Sequence, residues 1–259
     1  MRRVLLSLLL PLVGCAAAAA VRAQDYFNEA VRAEERQRAE RVDGSLSDHT
    51  AAIAGYRRAL QSAETALRER PDELERDGLL GNTYVIKALC LWRLQDLESD
   101  SDARSGKDAL GETLREVGAL VAAKRVALGT RDRVLLEALP GLRDHDRALR
   151  AWTLGEAEAG FDSAFKVLEE SLARVQPPPN HPIRLYVRLA QLRALRAWKA
   201  AAYEFLGSAE EADRYVEGKQ ILARFRQVLE RLKPEARVDG KLRDELAAVA
   251  LAMGVTWQL

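Results

Sequence analysis

The sequence predicts an all-α protein folded as antiparallel helix hairpins, and three observations predict it. Isoleucine is scarce, with four residues, and no segment alternates apolar and polar residues as a half-buried strand does. Alanine, leucine, arginine and glutamate, all good helix formers, dominate the chain. Proline, glycine and polar clusters divide the rest into segments long enough to be helices. Within these, apolar residues recur at spacings of three and four.

A first, strongly charged helix is expected from Asp25 to about Val42. A second begins near Ser47-Asp48, which can cap it, and continues to Arg70 before Pro71. A third starts with the acidic turn Asp72-Glu73 and runs to about Leu97, followed by the polar loop ESDSDARSG. A fourth spans about Lys107 to Leu128 and ends at Gly129. A fifth runs from Arg131 to Leu139 and breaks at Pro140-Gly141; the chain resumes over Leu142–Leu154 and Glu156–Val175. The run PPPNHP, Pro177 to Pro182, is the strongest breaker and reads as a seam between a helical region 24–176 and C-terminal hairpins over 183–259. There the helices expected are Ile183–Leu206, Ala209–Leu232 (stopped at Lys233-Pro234) and about Lys241–Met253. Long helices joined by short turns pack as antiparallel hairpins.

Composition narrows the function. The chain has 259 residues, enough for one large or two small domains with a sizeable core. Lys+Arg (40) and Asp+Glu (39) nearly cancel to a formal charge of +1, so no cationic excess is present to displace counterions from nucleic-acid phosphates. Two cysteines exclude a disulfide scaffold. No nucleic-acid partner is expected.

Residues 1–23 read as an export signal. Arg2-Arg3 form a positive start and Val4–Val13 an apolar stretch of ten residues, too short to span a bilayer core of about 30 Å. Leu12-Val13-Gly14-Cys15 resembles the lipobox of bacterial lipoproteins. The resemblance implies a Cys15 that carries diacylglycerol and starts the mature chain, and, with Ala16 next, an outer-membrane destination facing the periplasm. The rival site is Val21-Arg22-Ala23 before Gln24, a small-x-small pattern that would release a soluble periplasmic protein and discard Cys15. Loss of Arg2 and Arg3 takes the charge from +1 to −1; loss of Arg22 as well gives −2. Either way Cys90, within the apolar run ALCLW, is left alone and reads as a small buried hydrophobe.

An internal register adds a family. Ala59, Ala66 and Pro71 have the spacing of the second helix of a tetratricopeptide repeat, and Leu80-Gly81-x-x-Tyr84 follows where the next unit would begin. Ala200, Tyr203 and Leu206-Gly207-Ser208-Ala209-Glu210-Glu211-Ala212 resemble the centre of another unit. Arg93 stands where the pattern has a small residue, and 106–176 does not match it. The resemblance implies helix hairpins stacked as a tetratricopeptide-like right-handed solenoid. Such stacking shares one core between neighbours and leaves a concave surface for peptides or partner helices. It implies binding and no reaction.

The chemistry agrees with a non-enzyme. His49, His145 and His181 have no second ligand at metal spacing, and consecutive residues such as Asp144-His145-Asp146 point about 100° apart on a helix. No nucleophile elbow, phosphate loop or dinucleotide fingerprint is present. Cofactor and metal are expected to be none. Glu169-Glu170 and Glu210-Glu211 read as solvated helix faces.

The uneven chemistry is basic. Arg184, Arg188, Arg193, Arg196 and Lys199 crowd one helix with no acid before Glu204. They either meet an anionic partner or pair with Glu169-Glu170, Glu210, Glu211, Asp213 or Glu217 across a hairpin. Tyr84 with Trp92, and Trp198 with Phe205, fall near one helical face each, as core anchors or as grips on a partner. Trp257 is either a docking anchor for the tail or faces a partner. The candidate partner surface is Tyr84, Trp92, Arg184, Arg188, Arg196, Trp198 and Tyr203. The expected function is a non-enzymatic periplasmic scaffold or adaptor for an envelope protein or peptide, held at the membrane through Cys15. The alternative is an envelope lipoprotein that binds a solute or apolar ligand for import.

Overall fold

The computed structural model describes residues 15–40, 49–98 and 108–257. The apolar leader, the first three lipobox positions and most of the polar loop after Glu98 lie outside them. Among the described residues every regular element is an α-helix and none is a strand. The chain forms two compact units, one ending at Asp132 and one beginning at Arg133.

The first unit holds α1 (Cys15–Glu40), α2 (Thr50–Glu69), α3 (Pro71–Arg76), α4 (Leu80–Leu97) and α5 (Ala109–Ala122). Its centre is α2, whose inward stripe of Ala52, Gly55, Tyr56, Ala59, Ala63 and Ala66 is buried. Small side chains let neighbouring backbones come close. A Cβ built on Gly55 would lie 2.8 Å from the Ala30 Cβ of α1. Tyr56, Ile86 and Cys90 pack in this core, and a second cluster joins Ala19 and Ala20 of α1 to Ala66, Leu74, Leu80 and Val126. Helix α1 thus starts well before the expected Asp25 and runs unbroken through Ala23, which is fully buried.

The second unit holds most of α6 (Thr130–Ala148), then α7 (Leu154–Val175), α8 (Pro182–Phe205), α9 (Ala209–Gly218), α10 (Ile221–Val238) and α11 (Gly240–Ala252). Its core gathers Phe161, Leu195, Trp198, Ile221, Phe225, Leu229 and Leu246. Helix α7 repeats the device of α2. Gly160-Phe161-x-x-Ala164 corresponds to Gly55-Tyr56-x-x-Ala59, and a Cβ on Gly160 would meet the Ala148 Cβ at 2.7 Å. In both, the aromatic and the alanine are no more than 1% exposed.

Several boundaries differ from the sequence expectation. Pro177–Pro182 is no seam between units: it links α7 to α8, which pack together inside the second unit. Pro140 and Pro234 lie inside α6 and α10 and break neither. Around Pro140, buried Leu135, Ala138, Leu139 and Leu142 hold the helix to its neighbours across the missing hydrogen bond. Conversely, two expected single helices are divided by left-handed residues. Gly78 (φ +70°) separates α3 from α4, and Gln220 (φ +57°) separates α9 from α10.

Candidate functional site

The basic helix of the sequence is α8. His181 caps it by accepting the Ile183 N–H on Nδ1 (3.2 Å), and Pro182 occupies its first turn. Its inward side buries Ile183, Val187, Ala194, Leu195, Trp198 and Ala202. At 100° per residue the opposite arc carries Tyr186, Arg193, Arg196, Ala200 and Tyr203, within about 100° of the circumference. All five are exposed. Tyr186 and Tyr203 stand at the two ends, 39% and 42% exposed, and the guanidiniums stand between them.

The arrangement divides the expected site residues. Arg188 is 7% exposed and belongs to the interior. Its Nη1 donates to Glu169 Oε2 and, at 2.8 Å, to Gln191 Oε1. Glu169 also accepts from Gln191 Nε2 (3.0 Å) and from Arg231 Nη1 (2.7 Å), so one carboxylate ties α7, α8 and α10 together. Burial pushes its pKa up, but these bonds and the two arginine charges outweigh that and hold it at about 2. Glu169 is therefore a structural hub and not a solvated face. Arg184 is turned back as well, donating to the Pro177 carbonyl at 3.0 Å.

Trp198 is corrected in the same way. It is 1% exposed, lies within the core, and donates its indole N–H to Tyr215 Oη at 3.0 Å. Tyr215 donates its own hydroxyl hydrogen bond to Glu158 Oε2 (2.7 Å), and burial helps to push the phenol up to about 12. A large aromatic that satisfies its one donor internally is a packing anchor. Both Arg188 and Trp198 spend their polar groups on internal partners and present little surface to a partner.

Arg193 and Arg196 remain. Among the described residues no carboxylate forms an ion pair with either. Tyr203 donates to Asp213, and the Lys199 ammonium lies 5.7 Å from its ring centre while donating to the Met253 carbonyl at 3.0 Å. Thus Asp213 engages the tyrosine, Glu210 lies 3.9 Å from Arg214, and of the acids expected to neutralise this helix Glu169 alone does so, through Arg188. Arg193 belongs to the basic run of the sequence but not to the partner surface expected from it. Its exposure follows from lying seven residues after Tyr186, on the same helical arc.

Tyr84 and Trp92 lie in the first unit, on α4. Tyr84 is half-buried against the cluster of Leu74 and Leu80, where burial raises its pKa. Trp92 is half-buried and faces the Arg93 guanidinium at 4.9 Å. Cys90 is fully buried, and burial pushes its thiol pKa up, which suppresses the thiolate. Among the described residues no three His, Cys, Asp or Glu side chains come together to hold a metal ion. No described helix is long and apolar enough to cross a membrane. Compared with protein-family models, with curated proteins and with solved structures, the chain matches none.

Proposed function

We propose that the chain is a non-enzymatic scaffold of a bacterial envelope, which binds a protein or peptide through helix-hairpin surfaces. In this reading Cys15 carries the lipid and the body lies on the periplasmic side of the outer membrane. The observation that carries it is the outward arc of α8, where Arg193 and Arg196 lie between Tyr186 and Tyr203 with no carboxylate ion-paired to them among the described residues. Arginine and tyrosine are the side chains that concentrate binding energy at interfaces. The partner surface they fit is acidic, with apolar groups flanking the charge.

The stacked-hairpin architecture is part of the same proposal. Its support is the recurrence of glycine, aromatic and alanine at 55–59 and 160–164, each seating its helix on an alanine of a preceding one. The solute-binding alternative finds less support, because Trp198, Phe161 and Phe225, which could have gripped an apolar ligand, are buried together in the second unit's hydrophobic cluster.

The test is crosslinking in envelopes with the wild-type chain and with Arg193→Glu/Arg196→Glu. A partner captured by the first and lost from the second supports the proposal. A partner set unchanged by the double charge reversal overturns the assignment to α8.

A further inference from the structure

Helices α8 and α9 are packed neighbours that carry opposite charge. From Ile183 to Tyr203 there are four arginines, one lysine and no acid; from Ser208 to Gly218 there are four acids and one arginine. Elsewhere opposite charges on neighbouring helices meet, as Arg188 of α8 and Glu169 of α7 do. Among the described residues α8 and α9 share no ion pair.

The direction of each face explains this. Ala212 and Val216 bury one side of α9, and Tyr215 turns toward Trp198 and Glu158. At 100° per residue Glu210, Asp213 and Glu217 fall within about 60° of one another, on the side away from Tyr215. Asp213 fixes where that side points, because it accepts from Tyr203 at the end of the exposed arc of α8. The acidic row of α9 therefore begins where the arginine arc of α8 ends.

The two rows stay open to solvent. Glu210 has an 84% exposed side chain and only Arg214 of its own helix near it, at 3.9 Å. Glu217 is exposed and, among the described residues, in no ion pair. Arg193 and Arg196 are in the same state across the boundary that Tyr203 and Asp213 mark. We infer that this face pairs with the same face of a second copy of the chain, setting Arg193 and Arg196 of each against Glu210 and Glu217 of the other.

The inference rests on the reading of α8 as a protein-binding surface and names the partner. That arc fits an acidic surface bordered by apolar groups, and the chain itself carries an acidic row bordered by the Tyr203 ring. A two-fold axis along the boundary between the rows turns basic onto acidic and acidic onto basic, so every contact is made twice. Other registers set arginine against arginine or glutamate against glutamate, and repulsion disfavours them. An unrelated acidic protein would meet the arginines and leave the glutamates of α9 without a partner.

The test is sedimentation of residues 15–259 with Cys15→Ser, which keeps every described helix, over a range of protein and salt concentrations. A dimer that weakens as salt rises is expected, since exposed charges are screened. Arg193→Glu/Arg196→Glu makes both rows acidic, and Glu210→Arg/Glu217→Arg makes both basic. An exposed ion pair contributes up to about fivefold, so losing four should weaken each homodimer by about a hundredfold or more. Mixed in equal amounts, the two variants should form a heterodimer, because an all-acidic face then meets an all-basic one. The chain with all four replacements should dimerise by itself again. These recoveries also verify that the variants are folded.

A wild-type chain that remains monomeric, a dimer indifferent to either double replacement, or variants that stay apart when mixed overturns the inference. The fate of the α8 reading is separable. If wild type is monomeric while envelope crosslinking still loses a different protein from Arg193→Glu/Arg196→Glu, self-pairing falls and the binding surface stands. If neither self-association nor any captured partner responds to that variant, both fall.

Discussion

The carboxylate of Glu34 in α1 accepts two hydrogen bonds from the guanidinium of Arg93 in α4, Nε at 3.1 Å and Nη2 at 2.5 Å. Both side chains are less than a tenth exposed. Tyr56 of α2 donates to the same carboxylate at 2.9 Å, and Asp96 accepts from Arg93 Nη1 at 2.7 Å. Three helices are thereby tied by groups that fully satisfy one another, which buried charges require. Glu34→Ala leaves a buried guanidinium and a buried hydroxyl short of an acceptor, and should cost about 3–5 kcal/mol in urea unfolding. The triple replacement Glu34→Leu/Tyr56→Phe/Arg93→Met should recover most of that loss. A Glu34→Ala chain as stable as wild type would show that the network contributes nothing.

Glycine substitutions should have opposite signs at different helices. Alanine is better than glycine in a helix by about 1 kcal/mol. At Gly55 and Gly160, however, the new Cβ would lie 2.8 and 2.7 Å from an alanine Cβ, with backbone atoms at 3.1 and 3.0 Å behind it. Backbone cannot rotate away, so Gly55→Ala and Gly160→Ala should each destabilise by about 1–3 kcal/mol. Gly118 of α5 has nothing within 4 Å, and Gly118→Ala should stabilise by up to about 1 kcal/mol. Shifts of the urea midpoint measure all three, and a gain at Gly55 or Gly160 would refute the close approach.

Acid stability should report on Glu169. Its pKa falls from 4.5 to about 2 on folding, so the unfolded state takes up the proton first. Its contribution is complete above about pH 4.5 and is lost as pH falls through about 2. Wild type should lose stability across this window more steeply than Glu169→Gln, which keeps the shape but has no charge to protonate. Parallel curves for the two chains would contradict the three-helix hub.

The small-residue register was legible because it is local. Ala59 and Ala66 were picked out by spacing along one helix, and both are buried. The all-helical class was legible for the same reason, since propensity and period act within a few turns. What failed to show in sequence is tertiary. Arg188 looks like any surface cation until Glu169, 19 residues away, and Gln191 are placed around it. The hexapeptide Arg-Ala-Leu-Arg-Ala-Trp, present at 147–152 and again at 193–198, is the sharpest instance. Trp152 and Trp198 have identical preceding residues, and only the end of α6 at Ala148, against the uninterrupted run of α8, makes one exposed and the other buried. Pro140 and Pro234 look like stops on local grounds, yet each lies inside a helix with buried residues on both sides of it.

The start of α1 bears on the proposed lipid attachment at Cys15. The Ala23–Gln24 bond lies inside a continuous helix, and Ala23 is 0% exposed. A chain beginning at Gln24 would lose Ala19 and Ala20, which pack on Leu74, Leu80 and Val126, and would open that cluster to water. Since 1 kcal/mol shifts the melting temperature of a chain this size by about 2–4 °C, the loss should lower it by about 5 °C or more relative to residues 15–259 with Cys15→Ser. Intact mass of the protein from membranes should then correspond to a chain that starts at Cys15 and carries acyl groups. Equal melting temperatures, or a mature mass beginning at Gln24, would remove the structural reason for preferring Cys15, because residues 15–23 would then be dispensable to the core they line.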